Sequence, residues 1–169
     1  NYGAQVVLEG AMFAETLKAA QEYAAKKGAI FIPPYDNRDV VLGQGTVGLE
    51  ILDQLEGVDS ILVAIGGGGL AAGVAVAAKL KAQAQGRKIK IIGVQPVDSD
   101  AMYQSIKAGR RVKLAQVGLF ADGVAVKQVG KETFRLCRTL VDEIVRVDTD
   151  AMCAAIKDVF EDTRAILEP

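Results

Sequence analysis

Short apolar runs alternate along the chain with segments in which apolar residues recur at helical spacing. Residues 61–65 form a run too short for a helix and typical of a strand buried on both faces. Four consecutive glycines follow it, and the small-residue segment 71–84 then favours a helix. A second strand-like run occupies residues 89–94. This order predicts parallel strands joined by crossover helices, and therefore a layered α/β domain.

Further helices and strands are predicted on both sides of this strand–helix–strand unit. Before it, a helix over residues 11–27 has Gly28 as its C-terminal cap and a short predicted strand on each side, at residues 3–8 and 29–32. Thr46 is predicted to cap another helix that follows it. After it, we expect a helix at residues 99–108 capped by Asp98 or Ser99, and then a long glycine-punctuated loop at residues 110–130. A helix at residues 132–140, a strand at 143–147 and a last helix at 151–167 are predicted to follow.

Residues 34–45 are predicted to be a domain boundary. They contain turn-forming residues after the two prolines at 33 and 34, and Gly43 and Gly45 supply backbone freedom. The strand–helix–strand unit before this boundary is too small to cover both faces of its own sheet. We therefore expect it to belong to a larger structure.

The glycine run, residues 66–69, is the feature with the clearest chemical meaning. Four glycines maximise backbone entropy in the unfolded chain and carry no side-chain chemistry, so we expect a tight turn whose N–H groups bind a phosphate or another anion at a helix N-terminus. A plain connection or a flexible linker is the alternative. No Lys-Ser or Lys-Thr follows, which excludes an ATP-binding P-loop. A dinucleotide fingerprint, Gly67-x-Gly69-x-x-Ala72 with Asp98 further on, fits only weakly.

Composition narrows the class of protein. The chain has 169 residues, 50% of them hydrophobic, and a net charge of -1, which argues against a nucleic-acid or anionic-membrane surface. No apolar run approaches the ~20 residues that span a bilayer, and no leader pattern opens the chain, so we expect a soluble, cytoplasmic protein. The absence of histidine excludes a histidine-based triad or zinc site within this chain.

Two further sets of side chains are interpreted as structural. Cys137 and Cys153 lie in helix-like surroundings without metal-ligand spacing, and we expect both to be reduced core thiols. Four basic residues near the end of the helix after the glycines are interpreted as solvated charges: Lys79, Lys81, Arg87 and Lys88.

The segment Gly66-Gly67-Gly68-Gly69-Leu70, placed after an apolar strand, is similar to the phosphate-binding loop of the pyridoxal-phosphate enzymes of the tryptophan-synthase-β type. Four further stretches narrow the resemblance, at residues 31–36, 43–46, 118–127 and 160–169. Together they resemble the biosynthetic threonine dehydratases, or threonine ammonia-lyases. The resemblance runs over essentially the whole chain and covers only the middle of that enzyme.

This resemblance implies a three-layer parallel-sheet domain of the fold-type II pyridoxal-phosphate enzymes, truncated, with residues 1–34 ending a small domain and residues 35–169 forming part of the large cofactor-binding domain. It also implies a homo-oligomer that uses pyridoxal phosphate as cofactor and takes L-threonine as substrate, with L-serine as an alternative. Threonine would give 2-oxobutanoate and ammonia in isoleucine biosynthesis. The phosphate would be bound by Gly66, Gly67, Gly68, Gly69 and Leu70. Gly123 lies in a stretch that passes close to the cofactor in the family, and Asp122 could alternatively ligate a cation.

The departures from the family pattern concern catalysis. The lysine that binds the cofactor covalently sits in a Ser-x-Lys-x-Arg-Gly-Ala-like motif, and no lysine of this chain has that setting. The asparagine beside the cofactor ring, the serine near its pyridine nitrogen and the isoleucine-binding regulatory domain are also missing. We therefore expect a central fragment that contains no catalytic residue and is inactive alone. A non-catalytic nucleotide- or phosphate-binding α/β domain is the alternative.

Overall fold

The computed structural model describes residues 3–10 and 13–169. The chain divides into two compact units, Asn1–Pro33 and Pro34–Pro169, which are described separately. Within the described ranges, no helix combines the length and the apolar character needed to cross a bilayer.

The first unit is built on helix α1 (Phe13–Lys27). Gly28 ends it with a φ of +63°, and the Ala29 N–H donates to the Ala24 carbonyl at 2.9 Å, so the predicted glycine cap is confirmed. The predicted start of this helix at residue 11 lies outside the described residues.

The two strands predicted around α1 are wrong. Residues 3–8 and 29–32 are extended or irregular, and neither segment has a ladder partner in the described part of the chain. A strand is stable only when its backbone groups pair with a neighbouring strand. Their apolar side chains lie on the surface instead, as the 91% exposure of Ile30 illustrates.

The second unit contains a three-stranded sheet with five helices in the described residues. The elements are α2 (Arg38–Gln54), β1 (Ser60–Ala64), α3 (Gly69–Ala84), β2 (Lys90–Pro96), α4 (Ala101–Ala108), α5 (Lys131–Leu140), β3 (Glu143–Val147) and α6 (Thr149–Thr163). The strand order is β1-β2-β3, and both pairings are parallel. Ile61 lies opposite Ile91, and Val94 lies opposite Val145. The predicted parallel α/β sheet is confirmed.

The two faces of the sheet differ in burial. Ile61, Val63 and Ile91 are buried on one face, whereas Leu62 on the other face is 66% exposed. When successive parallel strands are added to the same edge of a sheet, right-handed crossovers place the connecting helices on the same face. In agreement with this rule, α3 and α5 pack together. Helices α3 and α5 thus belong to one helical layer beside the sheet.

Helix α2 begins at Arg38, nine residues before the start that a cap at Thr46 predicts. The Asn37 side chain caps it by accepting from the Asp39 N–H at 2.8 Å and the Val40 N–H at 3.3 Å. The predicted capping role of Thr46 is wrong, because its hydroxyl lies inside the helix and donates to the Gly43 carbonyl at 2.8 Å. Gly43 and Gly45 are likewise helical rather than turn residues.

Close packing of α2 on α3 explains three glycines inside these helices, Gly45, Gly48 and Gly73. A β-carbon on Gly73 would overlap the Val41 carbonyl oxygen and lie 2.7 Å from the Gly45 nitrogen. A β-carbon on Gly48 would lie 3.0 Å from the Val74 carbonyl oxygen. Glycine at these positions lets the two backbones approach each other, so tertiary packing outweighs the low helix propensity of glycine.

The remaining elements follow the prediction with small shifts. Gly109 ends α4 with a φ of +67°, as expected, but the residue before the helix is Asp100, whose carboxylate accepts from Arg146 at 3.0 Å instead of capping. Residues 110–130 are irregular apart from a 3-10 turn, Asp122–Val124. Helix α6 ends at Thr163, four residues before the predicted end, where Arg164 adopts a φ of +59°.

Candidate functional site

The glycine loop lies between the end of β1 at Ala64 and the start of α3 at Gly69, as predicted. Gly68 has a φ of +96°, in the left-handed region that favours glycine. This position is the carboxyl edge of the parallel sheet, where open α/β sheets bind ligands. The local geometry is therefore that of a strand, a tight turn and a helix N-terminus.

Side chains buried behind the loop hold three of its carbonyl groups. The Thr133 hydroxyl donates to the Gly67 carbonyl at 2.7 Å, and the Gln95 side-chain amide donates to the Ile65 carbonyl at 3.0 Å. The Cys137 thiol lies 3.8 Å from the Gly68 carbonyl. Thr133, Gln95 and Cys137 are completely buried. These donors come from α5 and β2, so the loop carbonyls face the interior.

The N–H groups of Gly66, Gly68 and Gly69 therefore face away from these buried donors. In a trans peptide unit the C=O and N–H bonds point in opposite directions, and the described residues contain no cis peptide. The carbonyls of Ile65, Gly67 and Gly68 belong to the same units as the N–H groups of the next residues. Within the described part of the chain, no N–H group from Gly66 to Leu70 donates a hydrogen bond. Free amides at a helix N-terminus form a site for an anion.

The loop has no room for side chains, which favours a tight turn over a flexible linker. A β-carbon on Gly67 would overlap the ring of Tyr35, and one on Gly69 would lie 3.0 Å from the Tyr35 β-carbon. A β-carbon on Gly68 would lie 2.7 Å from the Met102 methyl group. The loop thus fits a phosphate group through backbone contacts alone.

Tyr35 and Asp36 border the site and were not identified as site residues from the sequence. The Tyr35 hydroxyl donates to the Gln128 carbonyl at 3.3 Å, and burial together with the neighbouring Asp36 carboxylate raises the pKa of the phenol. The Asp36 carboxylate accepts from the N–H groups of Lys131 and Glu132 at 2.8 and 2.9 Å, so it caps α5. One feature of the sequence could have indicated Asp36. Helix α5 begins after Gly130, which has no capping side chain, so another residue must cap the helix.

The structure brings the second predicted stretch next to the loop. A β-carbon on Gly66 would lie 3.0 Å from the Val124 α-carbon, so the turn that contains Gly123 lies beside the glycines. Asp122 and Gly123 are both exposed. Residues 3–10 and 13–169 contain no group of three or more acidic, cysteine or histidine residues that could hold a metal ion.

The basic residues after the loop lie at the other edge of the sheet. Lys79 is ten residues along α3 from Gly69, about 15 Å at the rise of an α-helix. Its ammonium group is 2.7 Å from the Asp142 carboxylate. Lys81 pairs with Asp53, and the Arg87 guanidinium donates to the Val58 carbonyl at 2.9 Å. Their contacts are those of surface charges, distant from the glycine loop.

The two cysteines differ in environment. Cys137 is completely buried, and burial raises the pKa of its thiol to about 12. The prediction of a core thiol is confirmed for Cys137. It is wrong for Cys153, which is exposed on α6, a helix without a buried residue.

Comparisons with known proteins cover the whole chain. The model of the family described as pyridoxal-phosphate dependent enzyme matches residues 1–169. L-threonine dehydratase biosynthetic IlvA of Burkholderia multivorans is 54% identical over 99% of this chain, and threonine dehydratase 1 biosynthetic, chloroplastic, of Solanum lycopersicum is 53% identical over 99%. The chain spans 32% and 27% of these two proteins, about a third of their length or less.

Structural comparison gives the same relationship. The processed form of threonine deaminase isoform 2 from Solanum lycopersicum superposes with a TM-score of 0.91 at 46% identity, over 98% of this chain and 45% of that one. The predicted resemblance to biosynthetic threonine dehydratases and to the fold-type II pyridoxal-phosphate enzymes is confirmed. Since the family model matches from the first residue to the last, this chain belongs to the family of pyridoxal-phosphate dependent enzymes.

Proposed function

We propose that this chain supplies the phosphate-binding part of a threonine dehydratase that converts L-threonine to 2-oxobutanoate and ammonia. The observation that carries the proposal is the row of amides at Gly66, Gly67, Gly68, Gly69 and Leu70, none of which donates a hydrogen bond within the described residues. The names of the relatives support the substrate and the reaction. We further propose that the whole enzyme is a cytoplasmic homo-oligomer and that the second unit of this chain is part of its large domain.

The residues of the loop fit the cofactor's phosphate. Backbone N–H groups at the start of α3 bind an anion by hydrogen bonding and by the positive end of the helix dipole. The cradle carries no side chains that would compete for the phosphate, because Gly67 and Gly69 lie against Tyr35. Pyridoxal phosphate supplies an electron sink for chemistry at the substrate α-carbon. The role of this chain is to fix the position of the phosphate end.

The same chain is proposed to bind the cofactor without a covalent bond. None of its lysines lies in the Ser-x-Lys-x-Arg-Gly-Ala-like motif of the resembling family. Lys79 and Lys90 form ion pairs with Asp142 and Glu143, each at 2.7 Å, at the edge of the sheet opposite the loop. These two ion pairs hold both amines away from the loop.

Borohydride trapping tests this proposal. The purified chain is incubated with pyridoxal phosphate, reduced with borohydride and analysed by peptide mass spectrometry, while a thermal shift assay compares pyridoxal phosphate, ATP and NAD. We expect pyridoxal phosphate to raise the melting temperature, with no pyridoxyl adduct concentrated on one lysine. A stable adduct on one particular lysine would contradict non-covalent binding. Stabilisation by ATP or NAD but not by pyridoxal phosphate would instead indicate a nucleotide-binding domain.

A further inference from the structure

We infer that Thr133 is a positioning residue for the cofactor phosphate, acting through the peptide unit between Gly67 and Gly68. The inference rests on the proposed function of the glycine loop. Thr133 lies in α5 and is 66 residues from Gly67 in sequence.

The hydrogen bond of Thr133 reaches the loop from behind. Its hydroxyl donates to the Gly67 carbonyl at 2.7 Å, and the Thr133 side chain is completely buried. The Gly67 carbonyl and the Gly68 N–H belong to one planar peptide unit. A hydrogen bond to the carbonyl fixes the plane of that unit and polarises it, which makes the N–H on the other side a stronger donor. Gly68 N–H is therefore aimed away from α5 and strengthened for an anion.

Asp36 holds Thr133 in place. Its carboxylate accepts from the N–H groups of Lys131, Glu132 and Thr133 at 2.8, 2.9 and 3.4 Å. A β-carbon on Gly130 would overlap the Asp36 carboxylate, so the cap fits closely against the start of α5. The residue before Asp36 is Tyr35, whose ring covers Gly67. Residues 35 and 36 thus fix the loop and the first turn of α5 relative to each other.

The alternative is a purely structural role, in which the Thr133 hydroxyl does no more than satisfy a buried carbonyl. The two roles differ in what the hydroxyl changes. A structural hydrogen bond contributes to the free energy of unfolding, whereas a positioning hydrogen bond also changes phosphate affinity and the Gly68 N–H resonance. Two changes at Thr133 separate the roles. One removes the hydroxyl while the side chain keeps nearly the same shape, and the other keeps the hydroxyl but removes the methyl group.

The experiment uses three variants of the whole chain. Thr133→Val removes the donor at nearly constant shape, and Thr133→Ser restores it. Thr139→Val is the matched control, because the Thr139 hydroxyl lies on the exposed side of the same helix and donates to the Arg135 carbonyl at 3.1 Å. Equilibrium dialysis measures the dissociation constants of pyridoxal phosphate and inorganic phosphate. Proton–nitrogen NMR measures the Gly68 N–H resonance with and without phosphate.

We expect Thr133→Val to bind both ligands about tenfold more weakly, the effect of losing the hydrogen bond from the Gly68 N–H to the phosphate, and to shift the Gly68 N–H resonance upfield. Thr133→Ser should return both values towards wild type, and Thr139→Val should leave them unchanged. Equal affinity of Thr133→Val and wild type for both ligands would overturn the inference while leaving the proposed function intact.

Two further outcomes are also decisive. If Thr133→Val does not fold, the wild-type titration decides, because phosphate must move the Gly68 N–H resonance; saturation that leaves Gly68 unmoved overturns the inference. If the wild-type chain binds neither pyridoxal phosphate nor phosphate, the proposed function itself is wrong and the inference with it.

Discussion

The α-carbon of Gly73 in α3 faces the carbonyl oxygen of Val41 in α2 so closely that no β-carbon fits between them. A β-carbon on Gly73 would also lie 2.7 Å from the Gly45 nitrogen. Because both neighbours are backbone atoms, neither can rotate away as a side chain would. The contact holds α3, the helix whose N-terminus forms the glycine loop, against α2.

Gly73→Ala should therefore destabilise the chain, whereas Gly43→Ala should not. Overpacking against a backbone costs about 1–3 kcal/mol in the free energy of unfolding. A β-carbon on Gly43 meets no atom within 4 Å, so alanine there should stabilise α2 by about 0.5–1 kcal/mol. Urea unfolding followed by circular dichroism measures both. Equal stability of the two variants would show that the helices are not in this close contact.

The two cysteines should differ in reactivity. Burial raises the pKa of the Cys137 thiol to about 12, so almost none of it is thiolate near neutral pH, and it is also inaccessible. Cys153 is exposed. A thiol-reactive chromogenic disulfide should react rapidly with Cys153 and with Cys137 only after unfolding. Cys153→Ser should remove the rapid phase; a rapid phase that survives this substitution would contradict the burial of Cys137.

Acid should weaken the contact between Asp142 and its partners. Partial burial raises the pKa of this carboxyl, but hydrogen bonds from the Ile91 N–H and from Lys79, each at 2.7 Å, outweigh burial and lower it overall. A lowered pKa in the folded state means that the stabilisation is fully present above the ordinary carboxyl pKa of about 3.9 and is lost as the pH falls through the lowered value.

Asp142→Asn is the variant that checks this. At neutral pH it should reduce the free energy of unfolding by about 1 kcal/mol, and the difference from wild type should shrink towards about pH 3. Glu22→Gln is the control, since Glu22 and Lys18 form an exposed pair at 3.8 Å of little energetic value. A difference between Asp142→Asn and wild type that is independent of pH would contradict the assigned role of the carboxylate.

The sequence pattern predicted the elements that carry strong local signals. Strand β3 was predicted with its observed bounds, Glu143–Val147, and the glycine run marked the turn between β1 and α3. The start of α2 was missed because Gly45, which looks like a turn residue locally, is required by packing against α3. The strands around α1 were wrong because an extended apolar segment does not form a ladder without a partner.

The side chains that shape the loop were missed for a different reason. Asp36 and Lys131, which hydrogen-bond through the Asp36 carboxylate, are 95 residues apart in sequence. Thr133 and Gln95 contact the loop only because α5 and β2 are placed behind it by the fold. Periodicity and motif spacing describe neighbours along the chain, so they contain no information on such contacts.

The chain alone should not turn over threonine. A lysine positioned to form the covalent link to the cofactor and to move the α-proton contributes orders of magnitude to the rate, and none of the lysines here has the family setting. The assay measures 2-oxobutanoate release by the purified chain against free pyridoxal phosphate without protein, which is itself a slow catalyst. A rate well above this protein-free control would show that a lysine of this chain supplies the missing function.

The central claim is that residues 66–70 bind the cofactor by its phosphate, and Gly68→Asp tests it most directly. A side chain at a φ of +96° and 2.7 Å from the Met102 methyl group distorts the turn, and a carboxylate repels the phosphate. Gly109→Asp is the matched control, because it adds the same charge at a φ of +67° with open space around it, at the end of α4.

The measurement is equilibrium dialysis of pyridoxal phosphate and of pyridoxal, which lacks the phosphate, against wild type and both variants, each shown to be folded by circular dichroism. We predict that wild type and Gly109→Asp bind pyridoxal phosphate but not pyridoxal, and that Gly68→Asp binds neither. Binding of pyridoxal phosphate by folded Gly68→Asp with wild-type affinity would contradict the assignment of the glycine loop.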